Sequence, residues 1–597
     1  MNRLSRLTQS FYKDAGQSSA RLFIGSILVG VVSGLGAILF FTLLGWLSHQ
    51  VMHVGANYYA PEPAGEMSAF HPVGGAIRWW VLILAPTIGG LISGILVFSM
   101  APEAEGHGTD AVIEAFHHKQ GFIRKRVPFI KTIASIITIG TGGSAGREGP
   151  IAQIGAGFGS YLATSLHLTD DERRTLMLSG AAGGIGAIFR SPLGGALFAV
   201  EVLYKRDFEA KSLIPALVAS IVSYSIFSAR FGWGLMFDTP HYVFRHPVEL
   251  LFYALFGIVC AGVGIVYIKV FYGLRDRFFH KIPILPHLRP AIGGLMVGLV
   301  GAFAPYILAS GYGYLQQAMQ GELTIQFMLL AILLKIFVTS FTISSGGSGG
   351  VFAPSLFVGG MLGGAFGQIA ANFFPNLISN PTAFVLVGMG AFFAGAAKVP
   401  ISSMIMVSEM TGGYQLLAPM MLSSSTAYLV NSRTTLYEKQ VNRMADSPSH
   451  LGDFTIDVLD TMVVEQAYRP AHDIPKIKES VHLSELQHLF ADRAESYFRV
   501  VDEDDNIVGI LALSIARKVL FEEEMGHLVI AQDLMTPAVT VTPAESLRSA
   551  LKKFLDTEYA QITVVDYQNE KNILGLLSHE DIIQAYNHEV RRRKLTT

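Results

Sequence analysis

The residue type that most needs a chemical reason is Glu148. It lies in Gly142-Gly143-Ser144-Ala145-Gly146-Arg147-Glu148-Gly149-Pro150, a glycine-rich break within a strongly apolar region. Irregular backbone at membrane depth survives only where protein encloses it or it lines a cavity. An ionisable side chain there marks a functional site by default. A carboxylate held away from water competes for the place of a bound anion, and once protonated it is neutral and free to swing away. The spacing therefore makes Glu148 a candidate gate and proton carrier. Its other reading is a structural residue capping a local turn.

The elements that would carry such a group are membrane elements. Of the 597 residues, 51% are hydrophobic and 15% are charged, against about 25% charged in soluble domains. Most of the chain is thus expected in lipid. The formal net charge of −2 gives no sign of nucleic-acid binding. Cys260 is the only cysteine, so the chain forms no internal disulfide. No His/Asp/Glu cluster has metal-ligand spacing and no nucleophile motif stands out, so neither an enzyme nor a metal site is expected; His117 and His118 read as part of a basic loop.

Residues 1–20 are polar, with Arg3, Arg6 and Lys13, and read as a cytoplasmic N-terminal segment rather than a cleavable signal. The loop at about 49–77 has no Lys or Arg, whereas Arg124-Lys125-Arg126 and Lys205-Arg206 are basic. The positive-inside rule puts the N-terminus and these clusters in the cytoplasm. We expect a multi-pass protein of the plasma (inner) membrane with both termini cytoplasmic.

Apolar stretches lie near 22–47, 79–100, 128–140, 149–166, 174–188, 192–204, 213–231, 247–273, 289–308, 327–343, 354–375, 382–396, 401–411 and 417–431. Several are too short to cross about 30 Å of hydrocarbon at 1.5 Å per residue. Such segments predict discontinuous helices that meet near the midplane. They also repeat. Gly180 precedes Pro192 by 12 residues and Gly388 precedes Pro400 by the same 12; Glu201 and Glu409 each follow by 9. Arg190 and Lys398 match, and a second glycine-rich break runs from Gly346 to Pro354. A membrane domain at 21–445 with repeats at about 20–230 and 245–440 follows. The equal offsets of Glu201 and Glu409 suggest helix packing or backbone capping more than transport.

From about 446 the chain becomes charged. Tyr497–Asp502 with Ile507–Leu511, and Gln561–Asp566 with Ile573–Leu577, each read strand, turn, strand, helix. Two units, about 462–525 and 530–590, are expected in a cytoplasmic α/β domain at 446–597; the second opens with Asp533-Leu534-Met535-Thr536-Pro537.

Gly146-Arg147-Glu148-Gly149-Pro150, Gly350-Val351-Phe352-Ala353-Pro354 and Glu409-Met410-Thr411 together resemble the CLC chloride channel and transporter family, and the tail looks like a pair of CBS domains. The resemblance covers nearly the whole chain past residue 20. It implies an all-α polytopic membrane protein of two inverted-topology repeats, with broken and tilted helices, followed by the CBS pair. It also implies a homodimer with one anion pathway per subunit, chloride and other small anions as cargo, and protons as partners.

The family's three signature stretches surround a central anion site. The first, usually Gly-Ser-Gly-Ile-Pro, is here Gly106-His107-Gly108-Thr109-Asp110, so His107 stands where a Ser hydroxyl normally faces chloride. Gly146, Arg147 and Gly149 belong to the second stretch, and Val351, Phe352 and Ala353 to the third. Tyr437 matches a late Tyr that donates to the anion. The physical reading agrees: a desolvated chloride needs donors, and helix N-termini at the two breaks would supply N–H groups and partial positive charge.

Plainer readings stand beside these. Tyr437 also reads as an interfacial aromatic anchor, and Phe352 as packing. His107 is either a polar residue tolerated in the cytoplasmic vestibule or a pH-sensitive group on the anion path. Family exchangers often carry a second, inner Glu directly after the position of Glu201. Here it is Val202, which carries no proton, as in the family's channels. In the tail, Ser578-His579-Glu580-Asp581 matches the Ser/Thr-x-x-Asp pattern by which CBS pairs hold a nucleotide ribose, which makes an adenine nucleotide the one cofactor to consider. The first unit has Ser514-Ile515-Ala516-Arg517, with Arg in place of Asp. The alternative for the tail is an interface-forming pair without ligand. A membrane-anchored nucleotide sensor is the reading from a different class.

Overall fold

A run of apolar residues in lipid has one way to satisfy its backbone, the helix, and the first part of the chain is helical throughout. The computed structural model describes residues 3–66, 75–240, 242, 247–378, 380–450, 458–470, 475–492, 497–504, 507–517, 519, 525–535, 539–557, 561–567 and 572–595. The chain divides into two compact units, Met1–Ser449 and His450–Thr597.

In the first unit the described helices fall into two matching sets of eight. The first set is α1 (Arg3–Ser48), α2 (Trp79–Met100), α3 (Thr109–His118), α4 (Arg126–Gly140), α5 (Glu148–Ser165), α6 (Asp170–Ile188), α7 (Pro192–Glu201) and α8 (Leu213–Phe231). The second is α9 (Glu249–Leu274), α10 (Arg289–Phe303), α11 (Tyr312–Gln320), α12 (Ile325–Ser344), α13 (Phe352–Phe373), α14 (Ala383–Ala397), α15 (Pro400–Thr411) and α16 (Leu417–Val430). Six helical spans among the described residues are long and apolar enough to cross a membrane. The helices α7 and α15, of 10 and 12 residues, rise only about 15–18 Å and reach about halfway.

The apolar stretches read from the sequence are helices, with ends shifted by a few residues, except that α1 begins at Arg3, well ahead of the stretch read at 22–47. Two helices went unread, α3 and α11, because their residues are too mixed in polarity to stand out. His117 and His118 are accordingly not in a loop but in the last turn of α3, and His117 is buried, with Nδ1 2.7 Å from Ser447 Oγ and Nε2 3.0 Å from the Leu203 carbonyl.

Packing repeats as well. α5 lies on α6 as α13 lies on α14, α6 on α8 as α14 on α16, and α1 on α8 as α9 on α16. The two sets exchange bonds reciprocally, as elements related by a local twofold do. Glu201, at the end of α7, accepts from the Ile401 and Ser402 N–H groups of α15 at 3.0 and 2.7 Å. Glu409, at the matching place on α15, accepts from the Leu193 and Gly194 N–H groups of α7 at 3.3 and 2.8 Å and from Ser191 Oγ at 2.6 Å. Each glutamate satisfies N–H groups that a helix start leaves unpaired. Ser135 pairs with Ser348 at 2.9 Å and Thr339 with Ser144 at 3.0 Å. Buried Lys131 donates to the Ala104 and Gly106 carbonyls, and buried Lys335 to those of Ile307 and Ala309. Arg190 and Lys398, matched in the sequence, both adopt positive φ, 52° and 61°.

The second unit holds two small sheets. Parallel β2 (Lys476–Lys478) and β3 (Tyr497–Val501) are followed by antiparallel β4 (Ile507–Ala512); parallel β5 (Thr540–Val541) and β6 (Gln561–Val565) are followed by antiparallel β7 (Ile573–Ser578), with β1 (Arg469–Pro470) along β7. The side chain of Ser514 and the Thr536-Pro537 pair lie outside the described residues.

Candidate functional site

The two glycine-rich breaks meet. Gly146 N–H donates to the Gly350 carbonyl at 2.8 Å, and Gly350 N–H returns the bond to Gly146 at 2.6 Å. This clasp brings the N-termini of α5 and α13 together. Glu148, the first residue of α5, is buried, and its Oε1 accepts from the Phe352 N–H, the first of α13, at 2.5 Å. Its Oε2 has no hydrogen-bond partner among the described residues. A carboxylate thus sits on the unpaired, positively polarised start of α13, which is where an anion would be held. A side chain at Gly350 would overlap that carboxyl, and one at Gly149 would overlap the His107 carbonyl, so both breaks need glycine for close approach. Val351 precedes α13 and Ala353 lies in its first turn. The Phe352 ring packs against Phe393 and Phe189, with centroids 4.6 and 5.1 Å away.

His107 and Gly108 lie before α3, held from behind by the bond from Lys131 to Gly106 and by Gly349 N–H to the same carbonyl at 3.2 Å. The buried His107 ring has Nε2 3.2 Å from Asp110 Oδ2 and Nδ1 without a partner; it stands 5.2 Å from the Tyr437 ring. Tyr437 is positioned by the Leu436 N–H to Ala396 at 2.8 Å and by the Tyr272 hydroxyl to Leu436 at 2.7 Å. Its own hydroxyl is buried and meets no hydrogen-bond geometry with a partner among the described residues. An orphaned buried donor costs about 1–3 kcal/mol, so this one calls for an acceptor. A cavity of about 720 Å³ leads to His107 and Gly108 from the side that carries Arg124, with cations (Lys119, Arg275) and acids (Glu103, Asp110) interspersed along it.

A second cavity, of about 330 Å³, ends at Arg147. Arg147 pairs in bidentate fashion with Glu66, a residue the sequence did not single out. Also missed was Tyr267 on α9, whose buried hydroxyl has no hydrogen-bond partner among the described residues. Val202 is buried at the end of α7, and its carbonyl accepts from Gln440 Nε2 at 3.0 Å. It offers nothing that carries a proton.

In the second unit Ser578 and Asp581 are spent on each other. Asp581 Oδ2 accepts from Ser578 N and Oγ at 3.0 and 2.6 Å, and Oδ1 accepts from Arg469 at 2.9 Å, capping the helix His579–Leu595. Arg469 thus holds the Asp581 oxygen that a ribose hydroxyl would use.

A sequence profile of voltage-gated chloride channels matches residues 89–432, and one of the CBS domain matches residues 531–588. The chain is 30% identical over 386 residues to a ClcB-like protein of Ralstonia nicotianae, covering 63% of this chain and 89% of that one. It is 30% identical over 416 residues to the H(+)/Cl(−) exchange transporter ClcA of Cronobacter sakazakii, covering 68% and 85%. In fold it resembles the crystal structure of a slow cyanobacterial Cl−/H+ antiporter, at 22% identity and TM-score 0.61, over 69% of this chain and 94% of that one.

Proposed function

The chain belongs to the voltage-gated chloride channel family of anion-transport proteins, and from that premise we propose that it conducts chloride through a pathway gated by Glu148, without tight proton coupling. The observation that carries this reading is the Glu148 carboxylate on the N-terminus of α13. It occupies a site built for an anion, and protonation would release it. Tyr437 and the N–H groups of Phe352 and Ala353 then face the anion. The anion enters and leaves by the two cavities, one lined by His107 and Gly108 and the other by Arg147; by the positive-inside rule the His107 side is cytoplasmic. The pathway is complete within one subunit, and two such subunits form the homodimer.

Val202 supports channel-like conduction, because an inner proton route needs a titratable group. The competing reading, coupled exchange, is the one for which the Cronobacter relative and the cyanobacterial structure are named. A membrane-anchored sensor is less favoured, since an anchor needs no reciprocally capped, broken helices. The tail acts as a folded regulatory or interface unit.

Chloride release from liposomes, followed with a silver chloride electrode, tests this reading. Protein-containing vesicles release chloride and empty ones do not. His107→Ser, which puts the family's usual hydroxyl at this mouth, changes the preference among chloride, bromide and nitrate. An unchanged preference in His107→Ser makes the residue a bystander; no release by the wild-type protein refutes the transport reading.

A further inference from the structure

The cavity that ends at Arg147 holds a charge pair that gating by Glu148 does not use. Arg147 immediately precedes the gate, so an anion arriving from this cavity meets its guanidinium first. That group is fixed. It lies over the Phe41 and Tyr312 rings, 5.0 and 5.6 Å from their centroids, and its buried Nε has no partner. Both terminal nitrogens are taken by Glu66: Nη1 donates to Oε2 at 3.2 Å and Nη2 to Oε1. A fork-on-fork pair of this kind is strong and directional.

Glu66 is brought there on purpose-built backbone. It ends the short turn Ala64–Glu66. Gly65 N–H donates to the Met236 carbonyl at 3.0 Å, and Arg190 donates to the Gly65 carbonyl at 2.9 Å. The core thus presents Arg147 at the end of this cavity, while Arg190 grips the strap beside the carboxylate.

We propose that Glu66 sets the anion affinity of this mouth by neutralising Arg147, keeping the cation from holding chloride before the gate. The proposal rests on the reading that anions pass Glu148. An unmasked Arg147, with three free donor positions in a cavity of low dielectric, would bind chloride firmly.

Planar-bilayer currents test this directly. Chloride is varied on one face at a time, with gluconate holding the ionic strength. In Glu66→Gln the half-saturating chloride concentration on the Arg147 face falls about tenfold, the low end of the ~10–10³ enrichment charged clefts produce. On the His107 face it stays at the wild-type value. The difference shrinks in about 1 M salt, where screening reaches to within ~3 Å. Glu66→Asp keeps the charge on a shorter arm and shows a smaller fall on the same face, so the proposal stays testable if the glutamine variant is not made in folded form. Unchanged half-saturation, or an equal shift on both faces, overturns the proposal while leaving the transport reading intact. Absence of chloride current in the wild-type protein overturns the transport reading itself.

Discussion

Vesicles carrying Glu148→Gln are expected to release chloride at least as fast as wild type, with a rate nearly flat across pH. Glutamine keeps the shape of the protonated acid but cannot ionise. In the structure the carboxylate holds the Phe352 N–H at 2.5 Å on the start of α13, and it competes there with the transported anion. A hydrogen bond to a charged group contributes about 1.5–3 kcal/mol, against about 0.5–1.5 for a neutral one. Losing the charge therefore shifts that competition toward chloride by roughly tenfold. It also removes the only titration in the account that moves a blocking group. Whatever proton movement accompanies chloride in the wild type vanishes with it. A variant that keeps the wild-type pH dependence would show that Glu148 is not the gate.

The second large effect is on stability. Glu409→Ala leaves the Leu193 and Gly194 N–H groups and the Ser191 hydroxyl without their acceptor. Ser191 and Gly194 are buried, and orphaning a buried donor costs about 1–3 kcal/mol each. The total is about 3 kcal/mol or more. Purified in detergent, the variant unfolds several degrees below wild type at a fixed scan rate. Glu201→Ala, which strips two N–H groups of α15, falls by a similar or smaller amount. Glu409→Gln, which keeps an acceptor, recovers much of the loss. An alanine variant that melts within about a degree of wild type would mean that the reciprocal capping contributes little.

What could be read beforehand follows from which constraint acts locally. Lipid forces helices and punishes breaks, so the apolar stretches and the two glycine-rich breaks stood out. The equal offsets of Glu201 and Glu409 were visible, but not that each glutamate caps the other repeat's helix, because that contact crosses 200 residues or more. The short helices α3 and α11 lack a uniform apolar run, so His117 passed for a loop residue although it is buried. Glu66 sits in a polar loop with no periodicity, 81 residues from Arg147, and nothing local announces the pair. Tyr267 looks like any aromatic of an apolar helix; only its buried hydroxyl, without a partner among the described residues, marks it. In the tail the Ser578–Asp581 pattern was legible, but the same four residues serve equally as a helix cap, and the bond from Arg469, more than 100 residues away in the chain, was not.

The central claim is a chloride pathway gated by Glu148 with no proton carrier at Val202. Its most direct test records chloride and pH together in reconstituted vesicles under an outward chloride gradient. Sustained chloride efflux with little or no uphill proton uptake is the expected result. Stoichiometric proton pumping that tracks the chloride efflux and disappears in Glu148→Gln would contradict it and make the protein a coupled exchanger.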